Sequence, residues 1–268
     1  HPANDLEGVE ALLQEAVRLG PHDLLPAESL AAFYERMRRF DDARAVLDAF
    51  VNSLAQTTQS LDESQRAELR ARALLRLGEI CSVAMMNSEQ ALSVLQALLQ
   101  GEPQPPPALR REARFRVAQE LFAQERYGEA RAAVDALIRD ASGTPTAEYN
   151  IEAALQPNEV DLRMAAGSEE LARYHHYLGR VLEKQGEEAA AQRAYRRAID
   201  LMPAFTPPVV ALARHALRQG DRAQADLLLR DALAQLSAPA TRQDGDSREE
   251  SLQLRRAISR LLAPRDPP

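Results

Sequence analysis

The amino-acid sequence predicts an all-α fold, and three observations carry the prediction. Of 268 residues, 45% are hydrophobic but only 4% aromatic, with no Trp, so Ala and Leu supply the apolar surface. Both are strong helix formers. Few stretches alternate apolar and polar residues or concentrate Val, Ile and Thr, which leaves little from which to build strands. Finally, small and large apolar residues recur at fixed intervals in successive 34-residue blocks, the pattern of stacked helix pairs.

Taken in order, "NDLEGVEALLQEAVRLGP" reads as one amphipathic helix over 5–21, closed by Pro21. It is similar to the second helix of a pair whose first helix is absent, either because the array begins partway or because this helix is an irregular N-terminal cap. A first full pair is expected over 24–57, with Leu30-Ala31 and Tyr34 ahead of Phe40, Ala43, Leu47 and Phe50. A second spans 62–100: a long helix, then "NSEQALSVLQALLQ" with Ala91, Leu95 and Leu98, its Leu77-Gly78 about one residue out of register. Ser60…Glu63 and Asn87…Gln90 read as capping boxes that start these helices. "QGEPQPPPALR", 100–110, is a stiff Pro-rich connector. A third pair covers 111–144, with Val117-Ala118, Leu121, Tyr127, Ala130, Val134 and Leu137.

The segment 141–168 is longer than any turn between paired helices requires, and "AEYNIEAAL" and "NEVDLRMAA" could each form a short helix that shapes a binding groove. Two pairs follow at 172–205 and 206–239. In the first, Leu178-Gly179 precedes Ala191, Tyr195, Ala198 and Pro203; in the second, Leu212-Ala213 precedes Ala225, Leu229 and Ala232. Gly179 and Ala191 are small where two antiparallel helices cross, Gly186 can take the positive φ of a helix C-terminus, and Gly220-Asp221 makes the turn of the next pair. Pro203 ends one unit, and Pro207-Pro208 open the next, where Pro is tolerated. Over 241–268 come a polar linker, a closing helix started by Ser247…Glu250 with Leu254, Ile258, Leu261 and Leu262 on one face, and the tail "APRDPP".

The spacing from Leu178-Gly179 to Pro203 resembles the tetratricopeptide repeat, with Leu182 where that family has a Tyr and His175 where it has a Trp. The resemblance covers most of 5–239. It implies a right-handed superhelical solenoid over 1–240 with a C-terminal capping helix, a concave face lined by the first helix of each pair, and a non-catalytic scaffold or adaptor that holds a partner protein there. Carried over by register, the face includes Arg116, Gln119, Phe122, Arg173, His176, Arg180, Arg214 and Arg218. A chaperone-type carboxylate clamp of Lys and Asn is not matched: His176, Arg180 and Arg214 stand at those places.

Composition and motifs restrict the function further. The net charge of −7 argues against a nucleic-acid footprint, and the lone Lys184 among 33 basic residues reads as codon bias of a GC-rich, bacterial genome. Cys81 allows no intramolecular disulfide and lies in an apolar helical run, as an inert thiol does. His175 and His176 are adjacent, about 100° apart on a helix, so they do not chelate a metal together; on the register, His175 packs and His176 faces the exposed inner surface. No phosphate-binding Gly loop and no nucleophile elbow occurs, so neither an enzyme nor a cofactor is expected. No run of 18 apolar residues suggests a membrane span. The chain starts at His1-Pro2 rather than Met, which reads as a trimmed or processed form and leaves cytoplasm and periplasm open.

The expected partner is a protein segment, acidic or ending in a carboxylate, bound by the arginines of the C-terminal units. Bacterial envelope assembly, exopolysaccharide or cellulose export, and pilus or secretion machinery are settings in which similar arrays work. The alternatives are a regulatory or sensor segment of a larger signalling protein and a structural protein that self-assembles through its incomplete N-terminal repeat.

Overall fold

The computed structural model describes residues 2–56, 61–142, 168–237 and 245–262, and most of its helices pack against a sequence neighbour. Among these residues there are twelve α-helices, one π-helical turn and no strand. The chain divides into two compact units, His1–Ala133 and Val134–Pro268.

The first unit holds α1 (Pro2–Leu19), α2 (Leu24–Arg36), α3 (Phe40–Gln56), α4 (Glu63–Glu79), α5 (Ser88–Gln100), α6 (Pro107–Ala123) and the start of α7 (Tyr127–Ser142). Leu30, Ala31 and Tyr34 of α2 bury against Ala43, Leu47 and Phe50 of α3, and Leu77, Ile80 and Ala91 extend the same core. Ala71, Leu74, Leu98 and Ala113 form a second cluster that joins α4, α5 and α6. α1 contributes half-buried Leu13 and Val17, and Glu10 on its surface accepts from Tyr34 Oη at 2.9 Å and pairs with Arg39 at 2.9 Å.

Two boundaries in this unit differ from the sequence reading. α4 is capped by Asp62, whose carboxylate accepts from Gln65 N at 2.7 Å while Gln65 reaches back to Asp62 N; the predicted cap, Ser60, lies outside the described residues. α6 begins at Pro107 rather than 111, because a Pro in the first turn forfeits no intrahelical hydrogen bond. Asn87 does cap α5, accepting from Gln90 N at 3.0 Å.

Between α4 and α5 the chain forms a π-helical turn, Ile80–Ala84, with Met85 N donating to Ile80 O at 3.0 Å. This explains the register slip: Gly78 and Ala91 are 13 residues apart, against 12 from Gly179 to Ala191. One residue too many is absorbed by widening a single turn from i−4 to i−5 bonding. Cys81 lies in this turn, fully buried, and burial pushes its thiol pKa up.

The second unit holds the rest of α7, then α8 (Ser168–Lys184), α9 (Glu188–Leu201), α10 (Thr206–Arg218), α11 (Arg222–Ser237) and α12 (Gly245–Leu262). α8 pairs with α9 and α10 with α11, and α9 packs on α10. Leu178, Gly179 and Leu182 of α8 bury against Ala191, Tyr195 and Ala198 of α9. Ala213, Ala225, Leu229 and Ala232 form the last core, covered by Ile258 of α12, with Leu261 and Leu262 packed against it. α12 starts at Gly245, so Ser247, the predicted cap, lies inside its first turn. The sequence "AEYNIEAAL" and "NEVDLRMAA" lies outside the described residues.

Four turns inside helix pairs share one geometry. Arg38, Glu125, Gly186 and Gly220 have φ of 58°, 60°, 79° and 83°. In each turn the next residue donates its N–H back five residues: Arg39 to Tyr34, Arg126 to Leu121, Glu187 to Leu182 and Asp221 to Ala216, at 2.8–2.9 Å. This left-handed closure satisfies carbonyls at the end of the first helix and reverses the chain into the second.

Candidate protein-interaction face

The predicted face residues fall in both units. On α6 of the first unit, Arg116 is half-buried and donates Nε to Glu112 Oε1 at 3.0 Å, Gln119 is half-buried, and Phe122 meets Tyr127 edge-on at 5.3 Å. In the second unit, Arg173, His176 and Arg180 are spaced i, i+3, i+7 along one stripe of α8, and Arg214 and Arg218 are spaced i, i+4 on α10.

Arg173, Arg180 and Arg214 are exposed. The Arg180 guanidinium lies 5.1 Å from the centroid of Tyr177, a cation–π distance that folds the side chain along its own helix. His176 is not the exposed inner-face residue of the sequence reading. It is half-buried, edge-on to Phe205 at 5.4 Å and tilted on Tyr195 at 5.8 Å. Phe205 comes from the turn before α10, the last residue of the same 34-residue unit, and no interval of the repeat pattern points to the contact. Burial, with Arg180 adding to it, pushes the His176 pKa down to about 4, so the ring is neutral at physiological pH. His175 occupies the packing position, 3% exposed, and burial followed by the Arg197 charge pushes its pKa down to about 3.

Arg218 is engaged inside the protein. It bonds to Glu183 at 2.5 Å and reaches Glu188 at 3.5 Å, and Tyr195 Oη donates to Glu183 at 2.9 Å. Partial burial works against the Arg218 charge, but the two carboxylates outweigh it and raise its pKa. His215 Nδ1 lies 2.5 Å from Glu188 Oε2, so one polar network ties α8, α9 and α10. The partners Glu183 and Glu188 are distant in sequence from Arg218, and their roles were not legible there.

A pocket of about 580 Å3 opens beside this network. Arg214, Leu217 and Arg218 of α10, Gly220 and Arg222 at the α10–α11 turn, and Arg260 and Leu261 of α12 line it. Sequence reasoning identified Arg214 and Arg218 but missed Arg222 and Arg260, since only packing brings the end of the closing helix back to that turn.

Comparison with known proteins agrees with the fold. Residues 172–205 match the tetratricopeptide repeat family model, a span that runs from within α8 through α9 to the turn before α10. No curated protein shows a significant sequence match. The crystal structure of BtubC from P. vanneervenii is similar at a TM-score of 0.63 with 13% identity, over 91% of this chain and 96% of that one. The C-terminal part of a TPR repeat-containing protein from Cytophaga hutchinsonii gives 0.52 with 12% identity, over 97% and 86%. At such identities the likeness is one of fold: an array of tetratricopeptide-type helix pairs. Among the described residues no helix is long and apolar enough to cross a membrane.

Proposed function

We propose that this chain, which carries a tetratricopeptide repeat at 172–205, is a non-catalytic scaffold that holds an acidic segment of a protein partner on the arginine-bearing face of α8 and α10. Such repeats serve generally as protein-interaction modules. The observation that carries the finer reading is charge placement. A protein of net charge −7 sets Arg173, Arg180 and Arg214 on the exposed sides of consecutive first helices. Guanidinium groups there offer paired N–H donors to carboxylates. Assembly of a bacterial envelope, export or secretion system is the setting this reading favours.

The test is affinity capture from the source cell with the native chain and with an Arg180→Glu, Arg214→Glu double variant. Partners held by the native chain are lost from the variant and elute with salt. The same partners on both chains would remove the arginine face from the mechanism.

One observation favours a second reading, self-association through α1. Leu6, Val9, Leu12 and Leu19 of this helix are all exposed. Leu12→Glu then abolishes a concentration-dependent rise in light-scattering mass; a native chain monomeric at every concentration sinks this reading.

A further inference from the structure

We propose a second binding site that adjoins the partner face and shares Arg214 with it: the pocket between α10, the α10–α11 turn and α12 takes an amphiphilic organic anion, a carboxylate or phosphate head on an apolar body. Four arginines from three helices, Arg214, Arg218, Arg222 and Arg260, line one cavity. Like charges gathered in one concavity repel unless an anion is present, and low-dielectric walls strengthen the effect. Arg218 is already shared between Glu183 and Glu188. Arg214 and Arg260, by contrast, are exposed and have no ion-pair partner among the described residues. They are the two cations left to receive a head group.

Leu217 and Leu261, both half-buried, supply apolar wall in the same pocket. Gly220 adds no side chain there, and a Cβ at that position would meet nothing within 4 Å, so the turn leaves space rather than filling it. Sites for small ligands are cavities of roughly 300–1,000 Å3, mostly apolar, with a few polar groups that fix orientation. This one, at about 580 Å3, has that make-up. A ligand bridging Arg214 and Arg260 would also hold α12 against the last helix pair, where Ile258 is its one fully buried described side chain. Binding therefore raises the stability of the closing helix, by the linkage that holds for any ligand of the folded state alone.

Calorimetric titration with octyl phosphate and octanoate on the full chain tests the site, with octan-1-ol and inorganic phosphate as its two halves. The amphiphiles bind saturably and raise the melting temperature; each half alone does neither. Arg260→Gln, which leaves the α8–α10 face intact, weakens amphiphile binding at least tenfold, and Arg214→Gln, Arg260→Gln abolishes it, with circular dichroism showing both variants folded. Equal binding of octan-1-ol, unchanged affinity in both variants, or no binding to the native chain overturns the proposal. So does an acidic peptide whose binding is lost in Arg260→Gln while the amphiphiles never bind, since the pocket would then belong to the peptide face. Loss of partner capture in an Arg180→Glu single variant, which leaves the pocket lining intact, bears on the scaffold reading alone.

Discussion

A Cβ built on Gly179 would stand 2.5 Å from Cε1 of Tyr195. The two residues mark the crossing of α8 and α9, and the Tyr195 ring cannot easily retreat. It is 2% exposed, and its hydroxyl is tied to Glu183. Gly179→Ala would gain about 1 kcal/mol of helix propensity. Against that, it forces a buried ring and two helix backbones apart, and overpacking of this kind costs about 1–3 kcal/mol. The expected net result is destabilisation, read as a lower urea midpoint.

Gly78 fills the related place in α4, but its added Cβ would meet Leu95 Cδ2 at 3.2 Å, the tip of an aliphatic side chain. Leu95 can adjust by a few tenths of an ångström where the Tyr195 ring cannot. Gly78→Ala is therefore expected within about 1 kcal/mol of neutral, propensity offsetting crowding. The same substitution at two related positions should give clearly different urea midpoints. Equal losses would mean that the aromatic partner is not what makes Gly179 necessary.

The helix pairs were legible in the sequence where the crossing itself dictates residue size. Ala191, Tyr195 and Ala198 had to be small, large and small, and all three are buried. Gly186 and Gly220 were legible as turn residues for the same reason, being the residues that reach positive φ without strain. Arg38 and Glu125 adopt the same conformation, and nothing in an Arg or a Glu announces it. The π-helical turn was visible only as a one-residue slip. The candidate face was legible as positions but not as chemistry: that Arg218 is held by Glu183 depends on how successive units stack, and that His176 meets Phe205 depends on how the chain turns after Pro203.

The unannounced turns give a stabilising change. Glu125 has φ of 60°, a region that costs an L-residue with a Cβ about 1–2 kcal/mol. Glycine escapes that strain but loses more entropy on folding. Glu125→Gly should therefore stabilise the protein by about 0.5–1 kcal/mol, measured as a higher urea midpoint. A loss would show that the Glu125 side chain does more for the turn than its backbone strain costs.

Asp62 supplies another check. Its carboxylate and the Gln65 side chain satisfy two backbone N–H groups at the start of α4. Asp62→Ala removes the cap and should cost about 1 kcal/mol, while Ser60→Ala changes stability by only a few tenths. Reversed magnitudes in chemical unfolding would return the cap to Ser60.

His175 makes stability depend on pH. Its pKa of about 3 in the folded protein lies below the ~6.5 of an unfolded His, because burial first and the Arg197 charge second disfavour the imidazolium. The unfolded chain therefore binds the extra proton between these values, and its excess of bound protons lowers stability as pH falls. The contribution is complete above about pH 6.5 and is lost on acidification, by up to ~1.4 kcal/mol per pH unit until about pH 3. His176, with a pKa of about 4, adds in the same direction over a narrower range. His175→Phe keeps a ring in the buried slot and removes the proton site. Comparing urea unfolding at about pH 7 and pH 5, the variant should lose roughly 2 kcal/mol less than the native chain. An identical loss in the two proteins would show that the folded chain protonates His175 as readily as the unfolded one, and that the position is more open than its 3% exposure indicates.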